Sequence, residues 1–190
     1  MINSSSLKRL GSEDIRKPFN CGAADLNDFF LKDSAGHARH LLAVTYAIET
    51  DVETIAFFSV LNDRIQQKEC DRSIFKKLSK AMPADKRYGS YPAVKVGRLG
   101  VNKTNQRGNI GTALMDYIKI FFVDKNKTGC RFITVDAYNN ECTIKFYLKN
   151  GFKFLTEKDK DSGHRAMYFD LMPIANYLAA LPSDSSPAKS

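Results

Sequence analysis

The spacing of apolar residues in the first third of the chain predicts one helix between short strands. Residues 5–10 predict a first strand, and apolar positions recur with a period near 3.6 from Ala24 to about His40, as on one face of a helix. The runs 41–49 and 54–62 are rich in β-branched and aromatic residues, and a short polar break separates them. These two runs therefore predict an antiparallel pair of strands.

The remaining two thirds alternate between helical and extended patterns. Apolar spacing predicts helices at 71–81, 109–124 and 140–149, of which the first ends at Pro83 and the last at Asn150-Gly151. Runs typical of strands occupy 92–101, 131–138, 152–157 and 165–172. We expect the last two runs to form a hairpin.

The order of these elements predicts one mixed sheet. Antiparallel strands come first, and a strand, helix, strand, helix, strand unit follows, which is typical of an α+β or mixed α/β fold. The chain shows no internal repeat and no linker, so we expect residues 1–181 to form a single domain. The small, polar residues 182–190 predict a disordered tail.

The composition places the chain among globular proteins. Of its 190 residues, 43% are hydrophobic and 26% charged, which suits one well-filled core. No apolar run approaches the roughly 18 to 20 residues of a membrane span, and the N-terminus lacks the apolar region of a signal peptide. We therefore expect a soluble, cytoplasmic protein without membrane contact. The four cysteines are widely spaced without a C-x-x-C pair, which argues against a zinc site, a redox motif and disulfides.

The net charge of +8 leaves two interpretations open. An excess of lysine and arginine attracts anionic partners such as nucleic acid, an acidic protein or a phosphorylated cofactor. The same excess also occurs on ordinary solvated surfaces. Charge alone does not choose between them.

The stretch 97–115 carries the strongest indication of chemistry. It leads from a glycine-interrupted strand through a polar loop into the N-terminus of the helix predicted at 109–124. Free N–H groups and the positive end of the helix dipole face such a loop, so it suits a diphosphate. The stretch contains neither G-x-x-x-x-G-K-[ST] nor G-x-G-x-x-G, so it is not a phosphate loop of either kind.

Two motifs resemble those of the GNAT (Gcn5-related) N-acetyltransferases. The segment 106–111, QRGNIG, looks like the family's Q/R-x-x-G-x-G/A acetyl-CoA loop, and 140–152 resembles its N-x-x-A-x-x-F-Y-x-x-x-G-F segment. Asn109 stands at the first glycine of the loop, where asparagine tolerates a left-handed backbone, and Thr143 replaces the alanine. The resemblance implies the GNAT fold, with a central mixed, mostly antiparallel sheet flanked by helices.

The N-terminal region resembles one branch of that family. Residues 19–22, FNCG, with 26–30 and Ala35, are similar to the opening F-D-C-G…L-N-x-[WF]-L…A of the branch that contains the toxins of toxin–antitoxin pairs, and 96–102 resembles its L-x-R-L-A-V-D strand. Those toxins acetylate the free amine of aminoacyl-tRNA and pair with small DNA-binding antitoxins, so tRNA and a ribbon-helix-helix antitoxin are the partners implied. Free-standing acetyltransferases share this opening.

The resemblance implies acetyl-CoA as cosubstrate, with no metal. The backbone of residues 106–112 would cradle the pyrophosphate, and residues 99–101 would offer strand-edge groups to the pantetheine arm, with Gly100 leaving room for it. The implied cofactor-binding set is Leu99, Gly100, Val101, Gln106, Arg107, Gly108, Asn109, Ile110, Gly111, Thr112, Asn140 and Lys149. Arg98 is a substrate-binding candidate.

Tyr147 is the catalytic candidate, because a phenol can protonate the departing thiolate as the tetrahedral intermediate collapses. Its alternative role is that of a core aromatic beside Phe146. Asn140 likewise either binds the pantetheine amides or only caps the following helix. Glu141 and Asp136 are near enough in sequence to serve as a base, but solvated carboxylates describe both equally well.

Two further patterns receive simpler interpretations. His37 and His40 stand at i, i+3 on the first helix, without an evident third metal ligand. The basic residues at 76, 77, 80, 86 and 87 form either a contact for RNA phosphates or a charged solvated surface.

The sequence thus predicts an acetyl-CoA-dependent N-acetyltransferase that works by direct transfer in a ternary complex. Its acceptor is an aminoacyl-tRNA, or alternatively a small-molecule or protein amine. A non-catalytic acyl-CoA-binding or nucleic-acid-binding module is the hypothesis from another class. A homodimer is a further hypothesis about assembly.

Overall fold

The computed structural model describes residues 7–83 and 88–181. The predictions for residues 1–6, for the basic residues at 86 and 87, and for the tail 182–190 lie outside the described residues. None of the helices within the described ranges has the length and hydrophobicity needed to cross a membrane.

Seven strands of the described residues form one mixed sheet in the order β1-β2-β3-β4-β5-β7-β6. Strands β4 and β5 pair in parallel, and the other neighbours pair antiparallel. The mixed, mostly antiparallel sheet predicted from the sequence is confirmed. The strands are β1 (Lys8–Leu10), β2 (Val44–Glu49), β3 (Thr54–Gln66), β4 (Ser90–Val101), β5 (Phe132–Tyr138), β6 (Lys153–Phe154) and β7 (His164–Asp170).

The helices flank this sheet. They are α1 (Ala24–Asp28), α2 (Ser34–Arg39), α3 (Arg72–Lys80), α4 (Ile110–Val123), α5 (Glu141–Lys149) and α6 (Met172–Ala180). A π-helical turn, Phe29–Asp33, joins α1 to α2 and buries both Phe29 and Phe30. The single helix predicted from Ala24 is therefore interrupted by a wider turn.

The structure corrects the predicted bounds of several elements. Leu41 and Leu42, which the sequence placed in the strand 41–49, lie outside β2 and are exposed, with Leu41 in a left-handed conformation at φ 58°. Strand β3 runs four residues beyond the predicted end at 62. The last hairpin is shorter than predicted, because β6 holds two residues and β7 ends at Asp170. Helix α6 was not predicted from the sequence. None of its residues is buried, so its sequence shows no clear apolar face.

Alternation along the strands sends side chains to two separate layers. On one face, Val94, Val96, Ile133 and Val135 pack against α4 and α5, in a cluster that includes Leu114, Met115 and Ile118. On the other face, Ala93 and Phe132 pack with α3, and Phe57 packs with Phe29 and Phe30. The two faces therefore present different surroundings to anything bound at the centre of the sheet.

Candidate active site

The sheet opens at its centre, where β4 and β5 separate. Their parallel pairing runs only from Ala93↔Phe132 to Lys95↔Thr134, although β4 continues to Val101 and β5 to Tyr138. On its other side β4 stays paired with β3, and Gly97 is the extra residue of a β-bulge there, since Ser59 pairs with Arg98 and Val60 with Val96. The backbone edge of β4 from Val96 to Val101 is therefore open toward β5.

The loop that follows β4 presents a run of free backbone donors. In α4, the first backbone N–H group that donates a hydrogen bond to the carbonyl four residues earlier is that of Ala113, which bonds to the Asn109 carbonyl at 2.9 Å. None of the N–H groups from Arg107 to Thr112 donates to a described residue. Arg107 and Asn109 both adopt left-handed conformations, with φ of 67° and 59°. These residues form an N–H cradle, residues 107–112, that is suited to an anion.

Two glycines allow close packing around this loop. A Cβ on Gly111 would lie 3.2 Å from Phe146 Cε2, so Gly111 lets α4 and α5 approach each other. A Cβ on Gly100 would lie 2.9 Å from Phe57 Cε1 and 3.0 Å from Phe19 Cζ. The room that the sequence analysis reserved for the cofactor at Gly100 is occupied by these aromatic rings, and that reason for the glycine was wrong.

The N-terminal motif is tied to the cradle by hydrogen bonds. Gln106 Nε2 donates to the carbonyls of Cys21 and Val101, at 2.8 and 2.9 Å. Asn27 Oδ1 accepts the Cys21 N–H at 2.9 Å, and the Asn20 carbonyl accepts the Lys103 N–H at 2.9 Å. Since the Gln106 amide already bridges two carbonyls, Gln106 serves to hold the loop in place.

Tyr147, on α5, packs in the core cluster on the sheet face covered by α4 and α5, together with Val96 and Val135. Its side chain is 9% exposed and its ring packs edge-on against Phe146 and Phe152. Burial raises the pKa of the phenol to about 12. Its hydroxyl bonds to no described residue, and the buried polar atoms without partners belong to Arg16, Glu49 and Tyr91 instead. The phenol is therefore largely removed from water, and no described residue accepts its proton.

The other predicted residues on α5 have simpler surroundings. Asn140 caps the helix, because its Oδ1 accepts the Thr143 N–H at 2.9 Å. The capping interpretation is thereby confirmed, and the binding of pantetheine amides stays a prediction. Lys149 is exposed in the last turn of α5. Glu141 pairs with Lys145 at 2.5 Å, and both side chains are exposed, so Glu141 is a solvated carboxylate.

Polar side chains surround the opening on the opposite face. Arg98 is exposed and stacks on the Phe29 ring, with its guanidinium carbon 5.0 Å from the ring centre. Tyr138, at the end of β5, donates a hydrogen bond to the Asp25 carboxylate, and this bond raises the pKa of the Tyr138 phenol. Helix α1 is thus connected to the end of β5, on the side away from Tyr147.

Sequence reasoning missed most of a charged cluster beside this opening. Lys95 Nζ lies 2.8 Å from Asp136 Oδ2 and 3.9 Å from Asp63 Oδ2. Of these three residues only Asp136 was a candidate from sequence. Lysine and aspartate on the otherwise apolar strands β4 and β5 were the available signal, but 41 residues separate Lys95 from Asp136.

The metal and RNA candidates are also placed by the structure. The His37 ring lies edge-on to Phe29, with centres 5.1 Å apart, and no three His, Cys, Asp or Glu residues in the described ranges cluster as metal ligands. Lys76 and Lys80 line a cleft of about 1280 Å³ beside α3. Three more cations line this basic cleft, namely Lys68, Arg72 and Lys158. In the described ranges none of the five forms an ion pair.

Comparison with solved structures shows the same fold in bacterial toxins. A bacterial toxin superposes with a TM-score of 0.73 at 16% identity, over 93% of this chain and 96% of the other. AtaT in complex with acetyl-methionyl-tRNAfMet superposes with a TM-score of 0.75 at 18% identity, over 90% of this chain and 98% of AtaT. A tyrosine-to-phenylalanine mutant of KacT superposes with a TM-score of 0.71 at 22% identity, over 90% of this chain and 99% of KacT. No curated protein sequence matches the chain.

The sequence itself matches a family model. Residues 76–154 match the acetyltransferase (GNAT) domain. This segment contains the open edge of β4, the N–H cradle, Asn140 and Tyr147. Residues 76–154, which hold most of this candidate site, are therefore similar to the acetyltransferase (GNAT) domain, and the whole chain shares the fold of the solved structures above.

Proposed function

We propose that this chain transfers the acetyl group of acetyl-CoA to a primary amine by direct attack within a ternary complex. The main observation that supports this proposal is the N–H cradle. Six successive N–H groups at a helix N-terminus, none of which donates to a described residue, suit a diphosphate, and the open edge of β4 leads into the loop that carries them. At about 3.3 Å per residue, the edge from Val96 to Val101 spans roughly 16 Å, which suits an extended arm with amide groups.

Different residues around the open edge of β4 bind different parts of acetyl-CoA. The N–H groups of residues 107–112 hold the diphosphate, and the Arg107 side chain adds positive charge. Leu99, Gly100 and Val101 offer backbone groups to the pantetheine amides, and an N–H on this edge faces the thioester oxygen as charge develops there. Asn140 and Lys149 complete the set from α5.

Tyr147 supplies the proton for the leaving group. The amine nitrogen attacks the thioester carbon, the C–N bond forms, the C–S bond breaks, and the sulfur takes the phenolic proton. The nitrogen releases its surplus proton to water, and the phenolate recovers a proton from water. Because the phenol pKa is about 12 and that of a thiol about 8.5, complete transfer before bond cleavage is unfavourable. Donation therefore accompanies cleavage of the C–S bond.

The acceptor we propose is the α-amine of an aminoacyl-tRNA. The N-terminal motif that resembles the toxin branch is built into the site, since Gln106 connects it to the cradle. AtaT, which shares the fold, was solved with acetyl-methionyl-tRNAfMet. The α-amine of an ester is far less basic than a lysine amine, so water suffices to deprotonate it. The basic cleft beside α3 offers cations for the tRNA phosphates.

A small ribbon-helix-helix antitoxin is the protein partner we propose. A tyrosine-to-phenylalanine mutant of AtaT was solved bound to the C-terminus of the antitoxin AtaR. The motif resemblance at residues 19–35 and the shared fold support the same kind of pairing for this chain.

Incubation with labelled acetyl-CoA and either charged tRNA or a panel of free amines tests the proposal. We expect label on charged tRNA and growth arrest when the chain is expressed alone. Label on free or protein amines only would contradict the tRNA acceptor but would still support acetyltransferase activity. Failure of acetyl-CoA to raise the melting temperature would contradict the whole proposal.

A further inference from the structure

Helix α1 spans the gap that opens where β4 and β5 separate. The parallel pairing of the two strands ends before this point. Beyond it, Asp25 of α1 accepts a hydrogen bond from the hydroxyl of Tyr138 at the end of β5. Four residues after Asp25, the ring of Phe29 lies under the guanidinium of Arg98 on β4. The segment 25–29 therefore contacts both of the strands that border the gap.

The chain is fixed on either side of α1 and weakly packed within it. Before α1, the carbonyls of Asn20 and Cys21 accept hydrogen bonds from the loop that follows β4. After α1, the buried ring of Phe29 packs with Phe57 of β3. None of the five residues of α1 itself is buried. A short helix with so little buried surface, between two fixed points, opens locally at a low cost in free energy.

One side-chain hydrogen bond fastens α1 to the sheet. Within the part of the chain that the structure describes, only the bond from Tyr138 to Asp25 makes this connection. Asn27 and Asp28 bond instead to residues close to them in sequence. The Tyr138 ring is itself held in place, because it packs on the His164 ring with centres 4.7 Å apart. The position of α1 over the gap therefore depends on a single bond to a well-supported phenol.

We propose that α1 is a strap over the acceptor side of the site, closed by the hydrogen bond between Asp25 and Tyr138 and opened when an acceptor enters. The proposal rests on the acetyltransferase function proposed above. Helices α4 and α5 cover the face of the sheet that carries Tyr147, so an acceptor reaches the open edge of β4 from the face that α1 spans. Tyr138 is a positioning residue here. While the bond is closed, the apparent affinity for an acceptor falls by the fraction of open molecules.

Hydrogen exchange tests the strap on the full chain without any acceptor. The backbone amides of Asn27 and Phe29 donate to carbonyls at the start of α1, so both report on its opening. The decisive variant is Tyr138→Phe, which keeps the ring and removes the donor. We expect both amides to exchange about five-fold faster in this variant. Tyr177→Phe, which alters an exposed tyrosine on α6, is the matched control and should change neither rate.

A double-mutant cycle assigns the effect to the pair. Asp25→Ala removes the acceptor of the bond and also an acidic residue from the first turn of α1, so it should speed exchange at least as much as Tyr138→Phe. Adding Tyr138→Phe to Asp25→Ala should then change nothing further. Asp28→Ala is the control background, because Asp28 belongs to the same helix but pairs with Lys32 at 2.6 Å. In that background Tyr138→Phe should keep its full effect.

Acetyl transfer tests whether the strap limits entry of the acceptor. Tyr138→Phe should lower KM for charged tRNA about five-fold, because more molecules are open before the acceptor arrives. The value of kcat and the shift in melting temperature caused by acetyl-CoA should stay unchanged, since the reacting groups stay in place. A merely structural role for Tyr138 would lower kcat or stability instead. If wild type does not label tRNA, KM for phenylalanine methyl ester takes its place.

Each outcome separates the strap from the proposed function. Unchanged exchange of both amides in Tyr138→Phe, or an equal increase in the Asp25→Ala background, overturns the strap and leaves the acetyltransferase standing. Faster exchange with an unchanged or higher KM also overturns it, because α1 would then open without limiting the acceptor. If acetyl-CoA causes no shift and no amine is acetylated, the proposed function fails and the role of the strap fails with it.

Discussion

Tyr147 combines a buried ring with a hydroxyl that bonds to no described residue, and this combination predicts the effect of removing the oxygen. Tyr147→Phe should lower kcat about 100-fold, the lower end of general-acid effects, and leave acetyl-CoA affinity unchanged because the ring packing is kept. The control is Tyr91→Phe, which removes a buried hydroxyl that has no partner, away from the site. Stopped-time assays and cofactor titration measure both values. Wild-type turnover in Tyr147→Phe would exclude the acid role.

The pKa of Tyr147 also predicts how stability depends on pH. The folded-state pKa is raised from its ordinary value near 10 to about 12, so between these values the folded chain keeps a proton that the unfolded chain releases. Stability is therefore unaffected below pH 10 and falls as the pH rises toward 12, by about 1 kcal/mol at pH 11. Urea unfolding at pH 9 and 11 should show a smaller loss for Tyr147→Phe. Equal losses in both proteins would refute the shift.

The entry into α4 depends on a left-handed asparagine. Asn109→Val should reduce the unfolding free energy by about 1–2 kcal/mol and weaken acetyl-CoA binding, because a β-branched residue resists this conformation. Asn109→Gly should keep both properties. Asn126, at φ 45° after α4, offers the control: Asn126→Val should cost stability without affecting the cofactor. An Asn109→Val protein with full cofactor affinity would argue against the N–H cradle.

The contact of Gly100 in β4 with Phe57 of β3 and with Phe19 predicts a second effect at the level of elements. Gly100→Ala would push a Cβ into Phe57 and Phe19, both buried, and should cost about 1–3 kcal/mol of unfolding free energy. A Cβ on Gly36 in α2 would meet nothing within 4 Å, so Gly36→Ala should be neutral or stabilising. Urea denaturation of both variants measures the difference. Equal stability would mean that the rings move aside.

At the scale of the whole molecule, the positive charge predicts a salt dependence that distinguishes acceptors. KM for aminoacyl-tRNA should rise steeply with salt, whereas KM for an amino acid ester should change little. Replacing both Lys76 and Lys80 in the basic cleft by alanine should raise KM for tRNA alone, and Lys153→Ala, on the edge strand β6, serves as control. Salt-independent acetylation of tRNA would contradict a role for these cations.

The sequence predicted well what is local and only partly what depends on contacts across the chain. Apolar periodicity located α3, α4 and α5 within a residue or two, because each buries one face of a regular helix. The motif at 106–111 identified the loop whose N–H groups are free. The cluster of Lys95 with Asp63 and Asp136 escaped, since only strand pairing brings these residues together. Gly100 was misinterpreted for the same reason, because Phe19 and Phe57 are distant in sequence.

The amide of Gln106 has a consequence for the dynamics of the N-terminal segment. It bonds at once to the end of β4 and to the loop at Cys21, so the cradle and the segment 20–27 share one set of hydrogen bonds. A ligand that orders the cradle should therefore slow hydrogen exchange of backbone amides in 20–27, although none of these residues belongs to the cradle itself. Gln106→Ala should abolish that protection while exchange in β5 stays unchanged. Cofactor binding would then prepare the acceptor side before the amine arrives.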